Sequence, residues 1–281
     1  MILLELLKGE NKMAKIELDK YYTSREVAKR CIDKTFEIIG KENISEVIEP
    51  SAGDGAFSLQ IEDCIAYDIE PHHESIKRQD FLDLKMEYQK GRLFIGNPPF
   101  GKSNYLAVKF FKHCIKFGDY VAFILPISQL NNNMYMYEFD FIYSEDLGEL
   151  PYSDRLVHCC FNIYKRPLKG LNKKPNYDLV EVTLKGVLRG ATRNDKVPSE
   201  YDFSISGFGN SVGKISDYDN QYCKQIYFII HNKTFKDIIL EVINKADWRS
   251  LYKMTASPNL SYWMINKYLK EQIPQLNYKE K

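Results

Sequence analysis

Residues 93–100 read Leu-Phe-Ile-Gly-Asn-Pro-Pro-Phe, and this stretch decides the predicted fold. The run from Leu93 to Gly96 is short and apolar, which is typical of a buried strand. Two prolines then prevent the chain from continuing as a helix or a central strand. We therefore expect Asn97 at the carboxyl end of a strand, where open α/β sheets bind ligands.

Residues 97–100 suit the binding of a planar group that carries an NH2. Asn97 offers a side-chain carbonyl, Pro98 offers a backbone carbonyl, and Phe100 is expected to be an exposed aromatic residue, since no pattern predicts its burial. The alternative is an ordinary loop in which Asn97 caps a turn and Phe100 belongs to the core.

A second loop is predicted after an earlier strand, residues 45–49. It reads Pro50-Ser51-Ala52-Gly53-Asp54-Gly55, and we expect a helix to follow it. Such a turn lets a ligand approach backbone N–H groups closely. It matches neither the GxGxxG fingerprint nor the GK[ST] of a P-loop, which argues against NAD and ATP. The acids Glu49 and Asp54 would repel phosphates and suit a ligand with an amine end and hydroxyl groups.

Two further acids follow predicted strands. Asp68 ends the strand 64–69, about 20 residues after the first strand, where an acid commonly accepts hydrogen bonds from ribose hydroxyls. Its alternative role is a helix N-cap. Asp80 follows a short third strand and could accept from an adenine amino group, while Phe81 packs on the ring.

Alternation of helices and strands indicates the α/β class, with a doubly wound, mostly parallel sheet. A helix capped by Thr23 or Ser24 and ended by Gly40 precedes the first strand. The other predicted elements are a helix at 105–117 and strands at 120–126, 139–143 and 157–164. A smaller C-terminal α+β region is predicted after 166, with strands at 201–205 and 225–231 and helices at 235–243 and 260–269. Five glycines between 186 and 213 predict that the region around the first of these strands is rich in loops.

Charge is unevenly distributed along the 281 residues. The net charge is −6 over residues 1–165 and +7 over residues 166–281. This asymmetry is typical of a catalytic domain joined to a nucleic-acid-binding region. Lys173, Lys174, Arg189 and Arg193 are the candidate phosphate contacts.

Other features place the chain in the cytoplasm and divide it into three parts. The six cysteines show no CxxC pair and no zinc spacing, so we expect reduced thiols and no metal site. No run reaches membrane-spanning length, and no signal peptide is recognised. We expect an N-terminal extension at 1–20 with natural translation starting at Met13, a catalytic domain at 21–166 and a recognition region at 167–281.

Several of these signals occur in one order that resembles the S-adenosylmethionine-dependent N6-adenine DNA methyltransferases. The resemblance is closest to the group whose cofactor motifs precede the catalytic motif and whose recognition region is C-terminal. It covers residues 20–166 and implies a Rossmann-like class I methyltransferase fold, S-adenosylmethionine as cofactor and DNA as partner. The segments that carry it are Tyr22-Thr23, 49–55, Asp68, Asp80-Phe81, 97–100 and 160–164.

The resemblance also implies residue roles. Asn97, Pro98 and Phe100 form the catalytic clamp on the target base, with Asn97 also beside the cofactor. Phe161 lies where the family places a second aromatic residue against the flipped base. The residues implied at the cofactor are Tyr22, Thr23, Glu49, Gly53 and Gly55 at its methionine end, Asp68 at its ribose, and Asp80 and Phe81 at its adenine.

Three other readings stay open. The same motif serves adenine methylation in RNA, and a related form methylates glutamine amides in proteins. Phe100 in place of Tyr and the basic C-terminal third disfavour the protein substrate. A non-catalytic subunit that only binds DNA or cofactor is disfavoured by the intact segment 97–100.

Overall fold

The structure, a computed structural model, describes residues 23–152, 155–190, 193–216, 222–254 and 258–280. The chain divides into two compact units. Unit 1 comprises residues up to 126 together with 139–169, and unit 2 comprises 127–138 together with the residues from 170 onwards. No helix in the described part of the chain is long and apolar enough to cross a membrane.

Unit 1 is built on one sheet and two α-helices among its described residues. In chain order these are α1 (Arg25–Ile39), β1 (Glu46–Glu49), β2 (Ile65–Asp68), β3 (Lys77–Arg78), β4 (Arg92–Gly96), α2 (Tyr105–Cys114), β5 (Tyr120–Pro126), β6 (Asp140–Tyr152) and β7 (Arg155–Lys165).

The seven strands lie in the order β3-β2-β1-β4-β5-β7-β6. The first five in this order are parallel to one another, and β7 and β6 close the sheet as antiparallel strands. The predicted α/β class with a mostly parallel sheet is thereby confirmed. The strand order reverses between β1 and β4, so the topological switch point of the sheet lies where these two strands end.

Local signals explain α1 and β4. The Ser24 hydroxyl accepts a hydrogen bond from the Val27 N–H at 3.2 Å, which caps the first turn of α1. Gly40, at φ +83°, ends this helix by donating its N–H to the Phe36 carbonyl. Residues 93–96 of β4 are all buried, as the apolar run predicts.

The helix expected after the second loop is not formed. Its place is taken by a single 3₁₀ turn, Ser58–Gln60. Only 15 residues join Glu49 to Ile65, and the first of them make the loop, so too few remain for a helix of several turns. The predicted helix at 105–117 also ends earlier, at Cys114.

Unit 2 is a smaller α+β structure, as predicted. Its described elements are β8 (Val182–Gly190), β9 (Arg193–Asn194), β10 (Phe203–Ser206), β11 (Ile215–Ser216), β12 (Lys224–Ile230), α3 (Lys236–Lys245), α4 (Trp248–Leu251) and α5 (Tyr262–Gln272). The strands form an antiparallel sheet in the order β11-β10-β12-β8-β9. Side chains of this sheet, among them Phe203 and Phe228 stacked at 4.4 Å, share a hydrophobic core with α3 and α5.

Strand β8 corrects the prediction of a loop-rich region around Gly186. The strand runs through Gly186 and pairs with β12 along seven residues. The Tyr262 side chain of α5 fills the space beside Gly186, and its hydroxyl accepts the Gly186 N–H. Glycine here marks a close approach of another element within a strand.

Candidate functional site

The ends of β1 and β4 meet at the switch point of the sheet. Glu49 is the last residue of β1, and Gly96 is the last residue of β4. A Cβ placed on Gly96 would lie 3.4 Å from Glu49 Cγ. The two predicted motifs, 49–55 and 97–100, therefore start side by side.

The segment 50–57, here called the glycine loop, makes a tight turn directly after β1. The Gly55 N–H donates to the Ala52 carbonyl at 2.7 Å, and Gly53 and Gly55 have φ of +54° and +79°. A Cβ on Gly55 would lie 2.8 Å from Leu59 Cγ. A larger residue is excluded there both by the backbone conformation and by the neighbouring side chain.

Asp68 ties the glycine loop to the end of β2. One carboxylate oxygen accepts the Gly53 N–H at 2.7 Å, and the other accepts the Glu70 N–H at 2.8 Å. Each oxygen of a carboxylate has a second lone pair, so these bonds leave room to accept hydroxyls as well. Asp68 thus has a structural role in holding the glycine loop.

Glu49 is an acid buried in the sheet, with 2% of its surface exposed. Its Oε2 accepts the Ser58 N–H at 2.7 Å. Burial raises the pKa of Glu49 to about 8, and the hydrogen bond from Ser58 offsets only part of this effect. The side chain can therefore gain or lose a proton near neutral pH, depending on what binds beside it.

The start of α1 lies against the glycine loop. Arg25 donates from Nη2 to the Asp54 carbonyl at 2.9 Å and from Nη1 to the Gly55 carbonyl. The Gln60 side chain in turn donates to the Arg25 carbonyl at 3.0 Å. The sequence does not predict this role of Arg25, because its partners lie about 30 residues further along the chain and no local pattern indicates the contact.

Asn97 connects the three segments of the site. Its Nδ2 donates to the Thr23 hydroxyl at 3.1 Å, and the Ser51 hydroxyl donates to its backbone carbonyl at 3.4 Å. The bond to Thr23 fixes the orientation of the amide, with Nδ2 directed at the Thr23 hydroxyl. Thr23 and Asn97, each predicted to lie at the cofactor, are thus hydrogen-bonded to each other, whereas Tyr22 lies outside the described residues.

Phe100 differs from the prediction of an exposed aromatic residue. Only 8% of its surface is exposed. The chain folds back directly after it, and the Leu106 N–H donates to the Phe100 carbonyl at 3.1 Å. Pro98 is also buried. The two prolines are visible in the sequence, but the burial of the Phe100 ring and the turn that follows it are not.

Asp80 and Phe81 point to different environments. Asp80 is exposed and accepts the Leu82 N–H at 2.9 Å, which caps a 3₁₀ turn. Phe81 is 1% exposed, stacked with Phe110 at 5.9 Å and edge-on to Phe94 at 5.7 Å. The predicted packing of the Phe81 ring on a ligand is therefore not what the structure shows, because this ring completes the core beneath β4.

Phe161 is not brought to the switch point. It lies within β7, opposite Ile124 of β5 and Glu145 of β6, and its side chain is fully buried. A strand paired on both sides holds this ring in the core, so it offers no face for stacking in this structure.

The candidate phosphate contacts lie in unit 2. Lys173 and Lys174 are exposed, whereas Arg189 of β8 is partly buried. Arg193 starts β9, and its side chain lies outside what the structure describes. Part of the positive charge of this unit is paired, since Lys233 and Lys236 both contact the Asp202 carboxylate.

Comparisons with known proteins yield likeness in structure only. The chain matches no protein-family model and no curated protein. One similar solved structure, from Pyrococcus horikoshii, is described as a candidate RNA methyltransferase. It is 17% identical over 59% of this chain and 96% of its own, with a TM-score of 0.44.

Two further solved structures resemble this chain to a similar degree. A Thermoplasma acidophilum protein is 17% identical, covering 54% of this chain and 94% of its own, with a TM-score of 0.39. A Listeria monocytogenes protein, described as a candidate class I S-adenosylmethionine-dependent methyltransferase, is 14% identical. It covers 62% of this chain and 68% of its own, with a TM-score of 0.41. At this level of likeness, activity has to be inferred from the residues of the site.

Proposed function

We propose that this chain transfers a methyl group from S-adenosylmethionine to the N6 amino group of adenine in DNA. The observation that carries the proposal is the meeting of three segments at the switch point. The Asn97 side-chain amide donates a hydrogen bond to Thr23, and its backbone carbonyl accepts one from the Ser51 hydroxyl. Gly96, which precedes Asn97, lies beside Glu49. A cofactor held by the glycine loop is thereby next to the amide that would hold the base.

The residues at this edge fit the chemical groups of S-adenosylmethionine. Gly53 and Gly55 carry no side chain, so a ligand can approach the backbone closely at these two positions. Glu49 is an acid suited to an ammonium group, and Asp68 ends β2 with oxygens suited to ribose hydroxyls. The basic side chain of Arg25 donates its hydrogen bonds to backbone carbonyls of the glycine loop. When bound, the cofactor supplies an electrophilic methyl group on its sulfonium.

The protein's task in this reaction is to make the adenine N6 nucleophilic. The lone pair of N6 is delocalised into the ring. Acceptance of its two hydrogens by the Asn97 side-chain oxygen and the Pro98 backbone carbonyl favours a pyramidal nitrogen with a localised lone pair. The contribution is one of orientation and electrostatics. No base is required before attack, because the amine becomes acidic once it is alkylated.

A base in duplex DNA has to leave the helix to reach this site, at a cost of about a few kcal/mol. A stack on an aromatic ring is worth about 1–3 kcal/mol and can offset this cost. Phe100 is the ring nearest to Asn97 in the chain, and since it is buried, stacking requires the segment after it to move. The basic unit 2 supplies the contacts to the phosphate backbone.

We assign catalysis to residues 21–166 and recognition of DNA to residues 167–281, and we place the reaction in the cytoplasm. The acidic residues 1–165 carry a net charge of −6 and alone would repel phosphates. The net +7 of the remaining residues therefore has to provide the electrostatic attraction.

Label transfer from S-adenosylmethionine tests the proposal and separates its alternatives. The full-length protein is incubated with methyl-labelled cofactor and equal masses of duplex DNA, RNA and total protein, which are then separated. Label in DNA supports the proposal. Label in RNA alone would make the chain an RNA methyltransferase, and cofactor binding without transfer would indicate a non-catalytic subunit.

A further inference from the structure

The segment that follows Phe100 contains a buried side-chain amide with no partner. Asn104 has 8% of its surface exposed, and neither its Nδ2 nor its Oδ1 has a hydrogen-bond partner among the described residues. An amide is both donor and acceptor, and leaving both buried and unpaired is unfavourable. A ligand that supplies the missing partners would remove this cost.

Helix capping does not account for Asn104. It occupies the N-cap position of α2, where an asparagine usually accepts a backbone N–H from the first turn. Here its side chain makes no such bond. The Asn104 side chain is therefore available for another role than starting the helix.

The backbone around Asn104 is held in an unusual conformation. Gly101, Ser103 and Asn104 have φ of +64°, +54° and +64°. The bond between the Phe100 carbonyl and the Leu106 N–H closes residues 100–106 into one turn, and Asn104 lies within this turn. Non-glycine residues with positive φ cluster at ligand-binding segments.

We propose that Asn104 is a base-binding residue, whose Nδ2 donates a hydrogen bond to a ring nitrogen beside the amino group of the target adenine. This rests on the proposed function. The pairing follows from donor–acceptor complementarity, since the amide Nδ2 of asparagine is a donor and the ring nitrogens N1 and N7 of adenine are acceptors. Asn97 and Pro98 hold the amino hydrogens, so the ring nitrogen is the contact that Asn104 adds. Both the Phe100 ring and the Asn104 amide are buried in this structure, so contact with the base requires segment 100–104 to turn outward.

The contact distinguishes bases by the character of the ring atom beside the exocyclic group. Adenine has a hydrogen-bond acceptor at N1 and at N7. A base with an N–H beside its exocyclic group has a donor there, which cannot pair with the donor Asn104 Nδ2. We expect Asn104 to contribute about 10- to 100-fold to kcat/KM on adenine, within the range for a buried donor or acceptor that loses its hydrogen-bond partner.

The test uses oligonucleotides in which adenine at a site methylated by the full-length protein is replaced by 1-deazaadenine or 7-deazaadenine. Wild type should lose about 10- to 100-fold in kcat/KM on one of the two analogues. Asn104→Ala should lose a similar factor on adenine and then no longer distinguish that analogue from adenine. Asn104→Gly, which also suits the positive φ, should show the same kinetics with an unfolding temperature at or above that of wild type.

Asn131→Ala is the matched control, because Asn131 also has a positive φ, of +50°, but an exposed side chain. It should keep the wild-type sensitivity to both analogues. Cofactor affinity measured on each variant shows whether the site has folded. If Asn104→Ala keeps the wild-type kcat/KM, or still loses activity on the same analogue as wild type does, the inference is wrong but the proposed function stands. Failure of wild type to methylate any adenine would overturn the proposed function and this inference with it.

Discussion

Cofactor binding should release a proton from Glu49. The pKa of this buried acid is raised from its ordinary 4.5 to about 8, so at pH 7 about nine tenths of the molecules carry the proton. A cofactor ammonium beside Glu49 favours the carboxylate. Binding at pH 7 should therefore release about 0.9 proton per cofactor.

The same linkage fixes how affinity depends on pH. Each pH unit below 8 costs about 1.4 kcal/mol for ionising Glu49, so Kd should fall about tenfold from pH 6 to pH 7. The range above pH 7.5 is avoided, because an α-amino group itself titrates at about 7.7–8.0. Titration calorimetry in two buffers of different ionisation enthalpy measures the proton release directly.

Glu49→Gln should abolish both the proton release and the pH dependence of Kd. Asp54→Asn is the matched control, because Asp54 lies in the same loop but is partly exposed. It should retain both effects, since the charge of Asp54 is the smallest of the causes acting on the pKa of Glu49 and burial is the largest. Cofactor binding that is independent of pH between 6 and 7 in wild type, with no proton released, would refute the assignment of Glu49 to the ammonium.

Unfolding provides an independent check on the pKa of Glu49. A carboxyl whose folded pKa is raised stabilises the fold fully below the unfolded value of 4.5, and this advantage is lost as pH rises toward 8. At pH 7 the loss amounts to about 3 kcal/mol. Glu49→Gln does not titrate, so its free energy of unfolding relative to wild type should rise by about this amount between pH 4 and pH 7.

Three further predictions follow from the site and from unit 2. Asn97→Ala should lower the methyl-transfer rate by about 10²–10³ with nearly unchanged cofactor affinity; Thr23→Val removes the same hydrogen bond but keeps the amide oxygen, and a loss as large as that of Asn97→Ala would contradict the role of the oxygen. Asp68→Ala should weaken cofactor binding by about 1.5–3 kcal/mol in calorimetry, and unchanged affinity would leave Asp68 only its structural bonds. Charge reversal at Lys173 and Lys174 should weaken binding to all DNA sequences, and the dependence of affinity on salt concentration should fall by about one phosphate contact per residue. An unchanged salt dependence would show that these two lysines do not contact the DNA backbone.

The sequence predicted the strand ends better than it predicted which rings are buried. The apolar run before Asn97 and the prolines after it were sufficient to place Asn97 at the end of β4, since both signals are local. The positions of Phe81 and Phe100 depend on the core beneath β4 and on the return of the chain after Phe100. Those contacts join residues that no periodicity relates.

Long-range polar contacts were the other feature that sequence could not reveal. The bonds from Arg25 to the glycine loop and from Asn97 to Thr23 span 29 to 74 residues. The glycine pattern predicts a loop-rich region around Gly186, whereas this residue lies in β8 and leaves space for the Tyr262 side chain. In each case the residue type was visible, but its partner was set by the tertiary structure.

Identification of the methylated nucleoside tests the central claim most directly. Duplex DNA is incubated with the full-length protein and methyl-labelled S-adenosylmethionine, then hydrolysed to nucleosides and analysed by mass spectrometry. The account predicts label in N6-methyl-2′-deoxyadenosine and its loss with Asn97→Ala. Label in a methylated cytosine, or no label in DNA while RNA or protein is labelled, would contradict it.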